Sequence, residues 1–300
     1  MYENYFGLKE LPFGLTPDPS YFFRCTSYRE ALDTLLVAAF NGEGFIKVVG
    51  EVGHGKTLLC RTFLSVLEHA HGDQADPAYM RLLNGRERRY VTAFIPNPYL
   101  DPRGLLLALA EEFGIEVNRG ADLHALIEAL KSALLEIART GKHALVCLDE
   151  VQAMPQVTLE TVRLLTNLET EKRKLLQVVL FGQPELDEKL NRQSSRQMLQ
   201  RITFQFYLSG LRKDEIAAYL DHRLRVAGYP NNGLFTADAV KLLYRYSGGT
   251  PRLVNILAHK ALMVAYGEGA AEIGPRQVKT AADDTPAARR PRGILAWFGQ

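Results

Sequence analysis

The residues with the plainest chemical potential lie between positions 50 and 57, where the chain reads GEVGHGKT. A G-x-x-x-x-G-K-[ST] string lets backbone N–H groups wrap a polyphosphate, brings a lysine to the terminal phosphates and offers a hydroxyl to Mg2+. Gly50, Gly53 and Gly55 supply the backbone freedom, Lys56 the cation and Thr57 the metal-binding hydroxyl. Glu51, Val52, His54 and Leu58 complete the run of candidate nucleotide contacts, His54 as a variable loop position rather than a ligand or catalyst. Downstream, ALVCLDE (144–150) is an apolar run ending in paired acids. Such runs also occur at ordinary strand ends, but beside a phosphate loop Asp149 is placed to hold Mg2+ directly or through water. Glu150 is then placed to orient and deprotonate the attacking water. The sequence carries no N-K-x-D string for reading guanine, so the expected ligands are ATP and Mg2+.

These residues need a scaffold, and the flanking patterns predict one. FIKVV (45–49) reads as a strand and TLLCRTFLSVLEHA after the loop as an amphipathic helix, the setting a phosphate loop requires. A strand over RRYVTAFI (88–95) and helices over 101–114 and 122–141 follow, with Pro102 and Asp122 at favoured helix starts. Next come the acid-tipped strand, a helix over 158–174, a strand over 175–182, short helical pieces to Arg201 and a strand over 202–208. Five strands alternating with helices predict an α/β fold with a parallel sheet covered on both faces. From 209 only helical patterns remain, so residues 1–208 are expected to form the nucleotide-binding domain, 209–282 a helical domain and 283–300 a flexible tail.

With 300 residues and 47% hydrophobic content the chain can bury a large core. Its 36 basic and 34 acidic residues leave a net charge of +2, so any claim on nucleic acid or lipid must rest on local patches. Two patches qualify. Arg81, Arg86, Arg88 and Arg89 cluster in a polar stretch that reads as a solvated loop or as a contact for DNA or a partner. In the tail, Arg289, Arg290 and Arg292 precede Ile294, Leu295, Trp297 and Phe298, a segment (289–298) that is either inert or docks weakly on a membrane surface or partner groove. Cys25, Cys60 and Cys147 are odd in number and show no C-x-x-C spacing, which argues against a zinc site or a disulfide framework. The N-terminus lacks the pattern of a signal peptide and no window holds 18 consecutive apolar residues, so the expected location is the cytoplasm, peripheral at the inner membrane if the tail docks there.

FGLKELPFGLTPDPSYFF (6–23), the GEVGHGKT loop, LDEVQAM (148–154), QVVLFGQPELDEKL (177–190) and SGGTPRLVNILAHKAL (247–262) together resemble the secretion-pathway ATPase A (ExeA/GspA) group of AAA+ ATPases, over about residues 1–280. The short members of that group serve pilus systems of the MSHA kind. The resemblance implies a P-loop NTPase domain followed by a helical lid, a homo-oligomer, and a pilus or type II secretion component as partner. It implies roles for Lys56 and Thr57 in the phosphate loop, for Asp149 and Glu150 as metal and water-activating acids, and for Arg252 as a lid arginine sensing the γ-phosphate. Arg252 also reads as a surface arginine at a helix start, after Gly248, Gly249 and Pro251. Arg201 sits where such ATPases place an arginine that completes the neighbouring subunit's site, with Arg196 and Arg192 as competitors. Gln183 occupies the polar sensor position where the group's wider relatives carry Asn, Ser or Thr. Phe13 and the TPDP turn line the base pocket or form a local hydrophobic staple. A transposition-helper type of DNA-handling ATPase and a slow nucleotide-gated switch share the same core, and both stay open on sequence.

Overall fold

The computed structural model describes residues 2–69, 88–169 and 173–289. The expectations placed on Arg81, Arg86 and residues 290–298 therefore lie outside the described residues. By their contacts the described residues divide into two compact units, one of Tyr28–Val52 and Lys56–Leu208, the other of Met1–Ser27, Gly53–Gly55 and Ser209–Gln300.

The first unit is an α/β layer structure. Its strands are β1 (Phe45–Gly50), β2 (Tyr90–Ile95), β3 (His143–Leu148), β4 (Leu176–Gly182) and β5 (Ile202–Leu208), in the order β2-β3-β4-β1-β5. Every pair is parallel. Strands buried on both faces read as continuous apolar runs, and β1 and β4 are buried at every position. Edge strand β5 alternates instead, with Thr203, Gln205 and Tyr207 exposed. Registry sets Val49 opposite Gly182 and Leu148 opposite Leu180, so the carboxyl ends of β1, β3 and β4 lie side by side. Ligands of open parallel sheets bind at this edge.

Helices cover the sheet: α2 (Thr26–Asn41), α3 (Lys56–His69), α4 (Pro102–Glu112), α5 (Leu123–Arg139) and α6 (Gln156–Leu165). Asp101 and Asp122 cap α4 and α5 by accepting the N–H groups of Gly104 and Ala125. Leu105, Leu106, Leu126, Leu130 and Leu159 from these helices pack with Val146 and Leu180 into one cluster. Two polar side chains enter the sheet. Lys47 on β1 pairs with Asp187 at 2.5 Å, and Gln177 on β4 donates to the carbonyls of Ala39 and Glu43. Helix α2 lies outside the sequence expectation, although its buried Ala31, Leu32, Leu35, Leu36 and Ala39 carry a helical period.

The helix expected over 158–174 stops at Leu165. There Thr166 turns its hydroxyl back to the Arg163 carbonyl at 2.7 Å, competing with helix continuation. Leu175 N–H donates to Leu168 O and Glu169 pairs with Lys174 in an antiparallel bridge where a longer helix was expected, residues 170–172 of that expectation lying outside the described residues.

In the second unit, α1 (Tyr2–Phe6) and the segment to Ser27 join the helices that follow β5: α9 (Ile216–Val226), α10 (Ala237–Ser247), α11 (Pro251–Glu268) and α12 (Pro275–Asp283). Between them in the chain, α7 (Glu185–Leu190) and α8 (Arg196–Leu199) belong to the α/β unit. The grouping differs from the expected 1–208 domain because the N-terminal segment finds its partners in the helical unit. Arg223, buried in α9, donates to Pro12 O at 2.6 Å and Gly14 O at 3.3 Å and stacks over the Tyr21 ring. Lys9 N–H donates to Ala227 O, Tyr2 bonds His259, and Thr26 N–H reaches the Glu215 carboxylate. The first residues of the expected tail also pack. Asp284 pairs with Lys260, Thr285 and Ala288 are buried, and Arg289 N–H donates to Tyr246 O.

Arg223→Ala removes a cation that donates to two N-terminal carbonyls, at about 1.5–3 kcal/mol for each charge-assisted bond. Amide hydrogen exchange over residues 8–25 is expected to accelerate strongly while β4 amides keep their protection; unchanged exchange at 8–25 would show that the guanidinium does not anchor this segment.

Candidate nucleotide site

β1 delivers Gly50 to the carboxyl edge of the sheet and α3 begins at Lys56, so the loop between them must turn within five residues, 51–55. Gly53 and Gly55 take positive φ values of 80° and 81°. Gly53 is required twice over, by its positive φ and because a Cβ there would lie 2.7 Å from Arg252 Cβ; its carbonyl accepts the Arg252 N–H at 3.2 Å. That contact lies within the helical unit, to which the loop tip belongs.

Lys56 is 5% exposed, and its Nζ donates to the carbonyls of Gly50 at 2.8 Å and Glu51 at 3.2 Å. Burial pushes its pKa below the usual lysine range, against the pull of Glu150 and Asp149. An ammonium with two neutral carbonyl partners, at the N-terminus of a fourteen-residue helix, fits a polyphosphate.

Thr57 Oγ1 donates to Asp149 Oδ2 at 2.5 Å, and the Glu150 N–H donates to Asp149 Oδ1 at 2.9 Å. Asp149 is 2% exposed, and burial raises its pKa although both hydrogen bonds oppose the rise. A threonine hydroxyl and a carboxylate in contact are the hard oxygen donors that Mg2+ takes, with the remaining positions left to water and phosphate. Glu150 follows in the left-handed region (φ 54°, ψ 37°), where no other non-glycine residue among those described is found. Such a conformation costs roughly 1–3 kcal/mol and clusters at functional sites. The Glu150 carboxylate is fixed: Oε2 accepts from Gln183 Nε2 at 2.9 Å and from Gln152 Nε2 at 2.5 Å.

The α/β unit thus gathers Lys56, Thr57, Asp149, Glu150 and Gln183. Gln183, where a polar sensor was expected, donates directly to the Glu150 carboxylate. Gln152 joins them without having been singled out in the sequence; only its place in the LDEVQAM string marked it. Arg201 is not part of this gathering. It precedes β5, at the opposite end of the sheet from the phosphate loop, about 20 Å away by strand rise, and bonds Asn167. Arg192 and Arg196 are exposed. Phe13 is buried edge-to-face against Phe235 within the helical unit, a partner 222 positions away rather than a neighbour in the chain. Among the described residues no helix is long and apolar enough to cross a membrane.

This sheet order, loop and acid pair define a P-loop ATPase fold of the AAA+ class, and the chain belongs to the AAA domain family, whose model matches residues 39–190. It is similar to general secretion pathway protein A of Aeromonas hydrophila, 38% identical over 282 residues that make up 94% of this chain and 48% of that protein. The chain therefore spans about half the length of this curated relative. Solved structures sharing the fold include the ORC2 protein of Aeropyrum pernix in ADPNP–ADP complexes (TM-score 0.69, 17% identity, 94% of this chain and 73% of that one). Cdc6p of Pyrobaculum aerophilum is similar at TM-score 0.65 and 18% identity, over 91% of this chain and 70% of that one. The RuvB branch migration motor of Thermotoga maritima follows at 0.53 and 13%, over 86% and 68%.

Because burial raises the folded-state pKa of Asp149 above its unfolded value, the folded state retains a proton the unfolded state releases, and stability falls as pH rises through that window. Asp149→Asn removes the ionised form. In nucleotide-free protein this variant is expected to melt above the wild type at neutral pH, with the gap closing as pH drops through the carboxylate range. A gap that is absent at neutral pH, measured by thermal scans across pH, would contradict the burial cost.

Proposed function

We propose that this chain is a Mg2+-dependent ATPase that works as an oligomer and drives assembly of a secretion or type IV pilus machine of the MSHA kind. The observation that carries the hydrolytic part is Glu150, held by two amides beside the Asp149–Thr57 pair at the same sheet edge as Lys56. Lys56 binds the β- and γ-phosphates through its ammonium, and the loop N–H groups and the α3 terminus take their remaining charge. Mg2+, held by Thr57 and by Asp149 directly or through water, would neutralise charge on the transferred group. Glu150 orients the attacking water and accepts its proton. Arg252, whose backbone is tied to the loop tip, senses the γ-phosphate. The absence of a guanine-reading N-K-x-D string supports ATP over GTP.

The oligomeric part is supported by Arg201, which stands at the far end of its own sheet from its own phosphate loop and is the arginine we assign to a neighbour's site, with Arg196 as its competitor. The secretion part is supported by the name of the Aeromonas relative; the location we assign with it is the cytoplasm, peripheral at the inner membrane if the tail docks there.

Lys56→Ala is expected to abolish ATP binding, whereas Glu150→Gln binds ATP and loses about 10^2- to 10^4-fold in turnover, the usual contribution of a general base. Nucleotide titration and phosphate release measure the two effects, and near-normal turnover in Glu150→Gln would remove Glu150 from the role.

Arg201→Ala should bind ATP normally and lose up to about 10^3- to 10^5-fold in rate, the range for arginines supplied between subunits. Mixing it with Lys56→Ala restores part of the activity at mixed interfaces. A rate per subunit independent of protein concentration, with no rescue on mixing, contradicts an intersubunit arginine.

A further inference from the structure

Glu150 is constrained at both ends of its side chain. Its backbone is locked left-handed where β3 passes into the turn Val151–Ala153, and its Oε2 receives two amide N–H groups from different elements. One is Gln183, after β4. The other is Gln152, on the turn itself. The Gln152 amide is occupied at both ends, because its Oε1 accepts the backbone N–H of Gln183 at 3.1 Å. Chemistry fixes its orientation: a backbone N–H requires the oxygen and a carboxylate requires the NH2. The turn carrying Gln152 is itself anchored, since Lys189 on α7 donates its ammonium to Gln152 O at 3.0 Å and to Met154 O.

We propose that Gln152 is a positioning residue for hydrolysis: it clamps the Glu150 carboxylate through Oε2 and ties it to the sensor position through the Gln183 backbone, leaving Oε1 as the oxygen that accepts the proton of the attacking water. The inference rests on the reading of Glu150 as general base. Gln183 alone fixes one direction of approach to Oε2; the second amide removes the remaining rotation about the terminal torsion, which is broad and soft in glutamate. The shared Gln152–Gln183 bond means that a shift of either the β3 turn or the β4 end moves the base.

The test uses the full chain with Gln152→Glu, Gln152→Ala, Glu150→Gln and the double variant Glu150→Gln/Gln152→Glu, measuring kcat, KM for ATP and equilibrium ADP affinity. Gln152→Glu preserves the shape and the acceptor for Gln183 N–H but sets a carboxylate against the Glu150 carboxylate. It is expected to lower kcat about 10- to 100-fold, the equivalent of one hydrogen bond to a charged group, with KM and ADP affinity within about twofold of wild type. Gln152→Ala is expected to lose a similar factor in kcat. In the Glu150→Gln background, Gln152→Glu should add no further loss, because residues acting through one group are not additive. Wild-type kcat in Gln152→Glu, a loss shared between kcat and nucleotide affinity, or a full extra loss in the double variant each overturns the positioning role. Near-normal turnover in Glu150→Gln overturns instead the assignment of the base, and is read in the same series.

Discussion

The hydrogen bond from Thr57 to Asp149 ties the first turn of α3 to the carboxyl end of β3, across β4 in the sheet order. It exists because parallel pairing sets the ends of β1, β3 and β4 level, so that the loops leaving them converge. Slip one strand by a residue and each side chain it carries moves to the other face. Lys56, Glu150 and Gln183 depend on the same registry, and the continuous apolar filling of the central strands holds that registry in place.

Around this bond the structure collects features that oppose stability when considered singly. Lys56 and Asp149 are charged groups whose pKa values burial drives toward neutrality, and Glu150 adopts a backbone conformation that side chains disfavour. On the function proposed above, a polyphosphate would pair with Lys56 and a metal ion with Asp149, offsetting the two desolvation costs, while the Glu150 backbone is held by the turn that follows β3. Concentrated strain and desolvation of this sort mark functional sites in general. The surrounding scaffold is ordinary by comparison: leucine-rich helices capped by aspartates on a sheet of branched and aromatic residues.

The helical unit is organised differently. Its N-terminal segment is held by hydrogen bonds to residues far along the chain, with Arg223 bonding Pro12 and Gly14 over the rings of Tyr21 and Tyr219. A buried guanidinium satisfied by carbonyls and aromatic faces is costly to desolvate, yet it can bond several backbone groups in one plane, which an aliphatic side chain cannot. The short segment from Asp284 to Arg289 is held in the same unit by Lys260 and by the Tyr246 carbonyl.

What the sequence determined by itself was whatever local pattern can specify. The phosphate loop was legible because a strand, a glycine turn and a helix start are contiguous, and Asp149 and Glu150 because they end an unbroken apolar run. The parallel sheet followed from the alternation of strand and helix patterns. Three features were decided only by tertiary structure. The N-terminal 27 residues join the helical unit through bonds to residues about two hundred positions away, beyond any local period. The helix expected to reach 174 ends at Leu165 because a threonine hydroxyl and the pairing of Glu169 with Lys174 outcompete a charged, helix-favouring sequence. And Gln152 meets Gln183 and Glu150 only because strand registry brings two loop ends together; a glutamine's type carries no signal of its partner, so its role becomes visible only when the distance is known.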